Sequence, residues 1–345
     1  MGLPKMKPVW SYDLKEEAAF LPTLLVLGYV SLGHALGLCL LTQAGIGSAS
    51  LGVLLTAHSM VLAAYLVHEA AHMTLFRHPR HNAFLGEIMA FLCGAAYASF
   101  DRIRHMHLRH HRDRADVGRF DYKALLRQLP VPLRRAVYVL EWAYIPAIEL
   151  VMQFQLLVRP FTNPVEHDRR GRVVGVLLAR GALFTLLTVI GGLRALALYA
   201  LAWGLFLTVM HFFDAFHHTF DQYFVADDEE KVSMEGKDRE YEQANTYSNV
   251  VSVRWPSLNL LTLNFGYHNA HHQRAATPWY RLPALHRELY GEAGLQLMPL
   301  SELLRTFHRH RLRRILDEDY GAVGTGDRRA DNFVGAHGVS FLTVV

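Results

Sequence analysis

Apolar residues in this chain fall in long unbroken runs rather than in alternating or heptad patterns. Positions 20–41 carry no charged residue, and about twenty apolar residues are what a helix needs to cross a hydrocarbon core of about 30 Å. An uncharged loop with Gly45, Gly47 and Ser48 follows, and a second run over 50–67 ends directly at His68. The two runs read as a helical hairpin. Positions 173–190 and 193–213 repeat the arrangement, with Gly191 and Gly192 at the turn and Arg194 at the membrane boundary. Four predicted spans, at 20–41, 50–67, 173–190 and 193–213, return the chain to the side on which it starts. The run at 84–100 is shorter, carries Glu87, and fits an interfacial, re-entrant or packed helix. Positions 136–158 include Glu141, Pro146 and Glu149 and read as interfacial.

Between these runs lie the polar segments. From 77 to 135 arginine is frequent (Arg102, Arg104, Arg109, Arg112, Arg114, Arg119), so the positive-inside rule makes this loop cytoplasmic. Four spans then place residues 68–172 and 214–316 on one cytoplasmic face, with both termini. The stretch 227–248 reads as a solvated loop, and 260–266 as a helix turn or two. The polar tail 317–345 shows no periodicity and receives no role, which leaves a single domain over 1–316. The expected fold is all-α: an integral membrane protein of two helical hairpins beneath a cytoplasmic helical cap.

Composition supports the membrane reading without deciding it: 51% of the 345 residues are hydrophobic and 19% charged, with a mean hydropathy of +0.11. The net charge of +4 and pI near 9.0 would suit nucleic acid. The basic residues, however, flank apolar runs and interleave with histidines, so no nucleic-acid partner is expected. Cys39 and Cys93 sit inside apolar runs and imply neither a disulfide framework nor a thiolate metal site. The mixed charge of the start (Lys5, Lys7, Asp13, Lys15, Glu16, Glu17) argues against a cleaved signal peptide.

Histidine changes the picture. Three clusters, His68-Glu-Ala-Ala-His72, His107-Leu-Arg-His110-His111 and His268-Asn-Ala-His271-His272, each have the spacing of a metal half-site. Eight imidazoles are too many for one zinc, and they point to a polynuclear centre against the membrane and to oxidation of an apolar substrate. His68 and His72, at i and i+4, share a helix face. In each H-x-x-H-H box the first two histidines are one turn apart and the third points elsewhere, toward a second ion. The first cluster also fits the zincin pattern with Glu69 as general base, so an intramembrane zinc protease competes. His34 and His58, inside spans, are expected to be structural. His78, His81, His167, His286, His308, His310 and His337 are expected to be solvated or interfacial, and His105 lies outside the H-x-x-H-H frame. In His211-Phe-Phe-Asp214-Ala-Phe-His217-His218, residues His211, Asp214 and His218 share a helix face at the end of the last span, and His217 points away.

The chain resembles the membrane fatty acid desaturase family, the histidine-box oxygenases. The resemblance runs from about His68 to Pro283 and rests on the three boxes and their flanks. These are Ala98-Ser-Phe-Asp-Arg-Ile-Arg-His-Met-His107, Asp214-Ala-Phe-His-His-Thr219, Asp238-Arg-Glu-Tyr-Glu-Gln-Ala-Asn-Thr-Tyr-Ser248 and Asn264-Phe-Gly-Tyr-His-Asn-Ala-His-His272, followed by Trp279-Tyr-Arg-Leu-Pro283. It implies two ferrous ions held by His68, His72, His107, His110, His111, His268, His271 and His272, with His218 as ninth ligand. Asp214 falls where relatives can have an amide that holds a water beside one iron. Three residues inside the first box place the chain nearer the bacterial branch, in an inner or cytoplasmic membrane. The implied reaction takes O2 and two external electrons to desaturate a lipid or fatty acyl chain; hydroxylation or ketolation of a lipid, carotenoid or alkane is the alternative, and metal storage a remote one. No haem-binding, dinucleotide-binding or iron–sulfur motif is visible, so a separate ferredoxin or cytochrome-type donor with its reductase is expected on the basic face.

Overall fold

The computed structural model describes residues 13–118, 120–220, 223–225, 233–291, 294, 296–317, 319–326 and 328–339. Lys5, Lys7, Arg119, the acidic start of the 227–248 stretch and the last six residues of the tail lie outside the described residues.

Two helical hairpins form the base. Helix α1 (Phe20–Leu41) and α2 (Ile46–Ala71) pack along their length. Their approach is close because Gly37 has no side chain: a Cβ there would lie 2.5 Å from Thr56 Oγ1 and 2.9 Å from its backbone nitrogen. Helices α3 (Pro79–Cys93), α4 (Phe100–Asp113), α5 (Tyr122–Gln128), α6 (Val131–Trp142) and α7 (Ala147–Thr162) follow. The long α8 (Arg170–Asp214) then breaks at Gly192, whose φ of 69° and ψ of −175° no helix contains. Its two arms, 170–191 and 193–214, run side by side, since Arg180 Nη1 donates to Tyr199 Oη at 2.9 Å. Nineteen residues of unbroken helix would hold those groups about 28 Å apart. Arg194 donates to Gln43 O at 2.6 Å and to Gly45 O at 3.4 Å, so the turns of both hairpins meet at one end. The opposite end carries His68, His72 and the 211–218 segment.

Among the described residues, Phe20–Leu41, Ile46–Ala71 and Pro164–Asp214 are long and apolar enough to cross a membrane, the last containing both arms of α8. Leu21, Leu25, Leu32, Leu178, Val189 and Leu193 are exposed along them, as a lipid-facing belt requires. Arg180, inside a span, turns inward: it is buried, stacks over the Phe91 ring at 4.7 Å and bonds the Phe91 carbonyl. α6 and α7 meet at a bend of 115°.

The cap closes with β1 (Asp116–Gly118) beside β2 (Tyr223–Val225), α9 (Arg239–Ala244), β3 (Ser248–Val250), α10 (His268–Gln273), α11 (Leu282–Tyr290), β4 (Leu297–Pro299) beside β3, α12 (Leu300–Arg309) and α13 (Arg313–Leu316). Two segments differ from their sequence expectation. The later part of the 227–248 stretch is structured, with Thr246 and Ser248 fully buried. The tail is also core: Phe333, Val334 and Ala336 are buried, Ala336 N donates to Ala215 O at 2.7 Å, and Arg314 Nε donates to Val334 O at 2.9 Å. Two or three apolar residues held by long-range backbone bonds are too short for any periodicity to reveal.

Candidate metal centre

Each histidine cluster sits where an element ends. His72 caps α2, and Arg104 Nε donates to the orphan carbonyl of Ala71 at 2.9 Å, tying α2 to α4. Ser99 caps α4 through Arg102 N at 3.3 Å. α10 is a single turn, anchored by Asn269 N donating to Ser248 Oγ at 3.1 Å. Glu69 accepts from Thr74 Oγ1 at 2.6 Å and from Trp279 N at 3.1 Å, which fastens the segment after the third box to α2.

These anchors bring nine imidazoles together in two groups. His68, His72, His107, His111 and His271 form one, and His110, His218, His268 and His272 the other; within each, the ligand atoms lie within 4.8 Å of one another. In the first, Nε2–Nε2 separations are 2.7 Å for His72–His107, 3.1 Å for His68–His271, and 3.2 Å for His111–His107 and His271–His111. In the second they are 2.9 Å for His268–His218 and 3.2 Å for His110–His218.

The donor chemistry fits cations. His110 Nδ1 donates to Ala115 O at 2.8 Å, His272 Nδ1 to Glu242 Oε1 at 2.9 Å, and His218 Nδ1 faces Thr246 Oγ1 at 3.3 Å. Thr246 spends its own hydroxyl proton on Glu242 O, at 2.7 Å. With Nδ1 protonated, each ring turns a bare lone pair inward, and the lone pairs of His110 and His218 face each other at 3.2 Å. Such a pair repels unless a cation lies between. Ligand bonds of about 2.1 Å at right angles give edges of about 3.0 Å, against about 3.4 Å for a tetrahedron, so these separations suit more than four ligands. Burial first, then neighbouring imidazoles, holds His72, His107, His111, His218, His268, His271 and His272 well below the usual histidine range, keeping them neutral and able to ligate.

The boxes divide differently from the sequence expectation. The first and third histidines of each box share a group (His107 with His111, His268 with His272), while the middle one, His110 or His271, reaches the other. The reason is helical pitch: i+4 lies about 40° from i around the axis and i+3 about 60° on the other side. Asp214 lines the cavity with His107, His110, His218 and His268 but belongs to neither group among the described residues; its Oδ1 lies 3.8 Å from His217 Nδ1. His217 stacks on His268 at 3.9 Å and also lies outside both groups. His105 is exposed, and His58 is occupied by Tyr29 Oη at 2.6 Å and Leu261 O at 3.0 Å. His286, His310 and His337 are buried rather than solvated or interfacial, because the cap and the tail fold over them.

Glu242 and Thr246 fall within the 238–248 flank, but neither they nor Asp116 received a role from the sequence, because their partners are distant in the chain. Glu242 carries the most weight, bridging His272 to Arg114, which donates to it at 3.0 Å. Glu242→Gln keeps the shape and removes the charge behind His272. It is expected to weaken metal retention by about 10–100-fold, measured by chelator competition; wild-type retention would show that the pair does not support the ligand.

A model of the family described as fatty acid desaturase matches residues 45–303. A search of curated proteins returns no match.

Proposed function

The chain belongs to the fatty acid desaturase family, and from that premise we propose that it is a membrane-bound non-haem diiron oxidoreductase that desaturates the acyl chain of a lipid or fatty acid, with the nine clustered histidines as iron ligands. The observation that carries the reading is the convergence of nine neutral imidazoles in groups of five and four. When bound, the two ferrous ions would supply O2 activation and hydrogen abstraction from an unactivated C–H bond.

The remaining work falls to the chain. Met106, Val117 and Phe265 line the cavity beside His107 and His268, an apolar wall that excludes water from the reacting carbon. Asp214 and Val339 also line a second cavity with Phe206 and Met210, whose other wall carries Glu149, Gln153 and His211, so the apolar surface gives way to polar groups along the last arm of α8. A larger cleft of about 670 Å³ lies against the opposite face of that arm, and none of the nine histidines lines it. Glu69 supports the diiron reading over the zinc protease, because its carboxylate lies on the Nδ1 side of His68, at 3.7 Å, behind the ring rather than before its metal-facing nitrogen. Electrons come from a separate ferredoxin or cytochrome-type donor docking on the basic cap, and the site faces the cytoplasm of an inner membrane.

Asp116 is placed to hold a proton in this cavity, and burial pushes its carboxyl up to about 7. It carries the proton below that pH and loses it above. Turnover is therefore expected to fall as pH rises through about 7, and Asp116→Asn to flatten that limb of the pH–rate profile. An unchanged profile in the variant would remove Asp116 from proton delivery.

The proposal is tested by metal analysis of the purified protein and by mass spectrometry of lipids from cells carrying the wild type or His107→Ala. Iron near two per chain is expected in the wild type, together with products lighter by two hydrogens that the variant does not form. Products that gain oxygen would replace desaturation by hydroxylation; about one zinc without iron, lost in His72→Ala, would overturn the diiron reading in favour of the protease.

A further inference from the structure

A second set of metal-ligating side chains lies apart from the nine histidines. Glu149 on α7, His211 on the last arm of α8 and His337 in the tail bring three ligand atoms within 4.8 Å of one another. Glu149 Oε1 accepts a hydrogen bond from His211 Nδ1 at 3.0 Å, a proton that a bound ion would replace, and lies 3.7 Å from His337 Nε2; the two imidazole rings are 4.3 Å apart. We propose that Glu149, His211 and His337 form an additional binding site for a single zinc or ferrous ion, which staples the tail to the membrane-facing helices.

Three observations carry it. The first is unmet polarity: His337 is 4% exposed, both of its ring nitrogens are buried without a hydrogen-bond partner, and so is Glu149 Oε2. Such groups are costly to bury unless something coordinates them. The second is spacing. His337 Nε2 stands 3.7 Å from Glu149 and 3.8 Å from Glu141. Those gaps exceed a direct hydrogen bond of about 2.7–3.2 Å and fall short of the ~4.5 Å that a bridging water leaves. Two ligand bonds of about 2.1 Å span roughly 3.0 to 4.2 Å, which brackets the gap between His337 and Glu149.

The third observation is the donor set, held in a buried setting: Glu149 and His337 are both buried. Two imidazoles and one carboxylate are a donor set suited to zinc or ferrous iron. Two residues beyond His337, Val339 lines the cavity that also holds His217 and His268, so an ion here fixes one wall of the reaction chamber.

The test is metal content of the full chain in detergent after reconstitution with ferrous or zinc ions, comparing wild type with His337→Ala, Glu149→Gln and His271→Ala. Both His337→Ala and Glu149→Gln are expected to hold about one ion fewer than wild type, whereas His271→Ala keeps the ion at Glu149. Equal content in wild type and His337→Ala overturns the proposal. If the nine-histidine reading alone fails, wild type still holds about one ion and His337→Ala none. Should the variants not fold, anomalous scattering from wild-type crystals decides: a peak between the three side chains supports the site, and its absence overturns it.

Discussion

His218→Ala is expected to abolish product formation and to release the ion of its group, whereas His107→Ala abolishes product while retaining much of its metal. The asymmetry follows from the ligand counts. His218 belongs to a group of four imidazoles and His107 to a group of five, so the first substitution leaves three ligands and the second leaves four. Three imidazoles hold a divalent ion less tightly than four, and His218 Nε2 also sits within 3.2 Å of both His110 and His268 Nε2, at the centre of its group. Activity falls in both because each ion is required. The loss should exceed the roughly 10–100-fold that a supporting residue such as Glu242 contributes. Metal content per chain, measured beside lipid product, checks both halves. His218→Ala with wild-type metal and turnover would remove it from the centre.

The hairpins and the histidine boxes were legible because each leaves a local pattern. Apolar runs at 20–41 and 50–67 have the length and composition of spans, and the structure places α1 and α2 over them. Gly191-Gly192 marked the turn where α8 breaks. What sequence did not show is held by long-range contacts. Glu242 reaches His272 across 30 residues, and His337 joins Glu149 from the far end of the chain. Arg180 lies unmarked inside the 173–190 run, and only the folded chain shows that Tyr199 on the other arm and Phe91 on α3 receive it. The division of the boxes was misjudged for a geometric reason. Adjacent histidines were expected to part after the second member, but helical pitch sends the middle one to the other group.

Gly266→Ala tests how strictly the third box is positioned. A Cβ at this residue would lie 2.4 Å from Asn249 O and 3.1 Å from Val250 Cα, and the obstacle is backbone, which cannot rotate away. β3 is itself fixed, because Asn249 Nδ2 donates to Phe213 O at 2.6 Å and Ser248 Oγ accepts from Asn269 N at 3.1 Å. The added methyl must therefore push the 264–267 turn outward and carry α10 with it. That short helix supplies His271 to one group and His268 and His272 to the other, so a single displacement disturbs both. Overpacking of this kind costs about 1–3 kcal/mol in stability, and a shift of about 1 Å at a reacting centre costs about 10²-fold in rate. Gly266→Ala is accordingly expected to lower the melting temperature, reduce bound metal and depress turnover by about 10²-fold. Gly175→Ala is the control: it adds the same methyl in α8 where no atom lies within 4 Å, and alanine favours a helix over glycine by about 1 kcal/mol. If Gly266→Ala keeps wild-type metal and turnover while melting like the control, β3 does not clamp the third box.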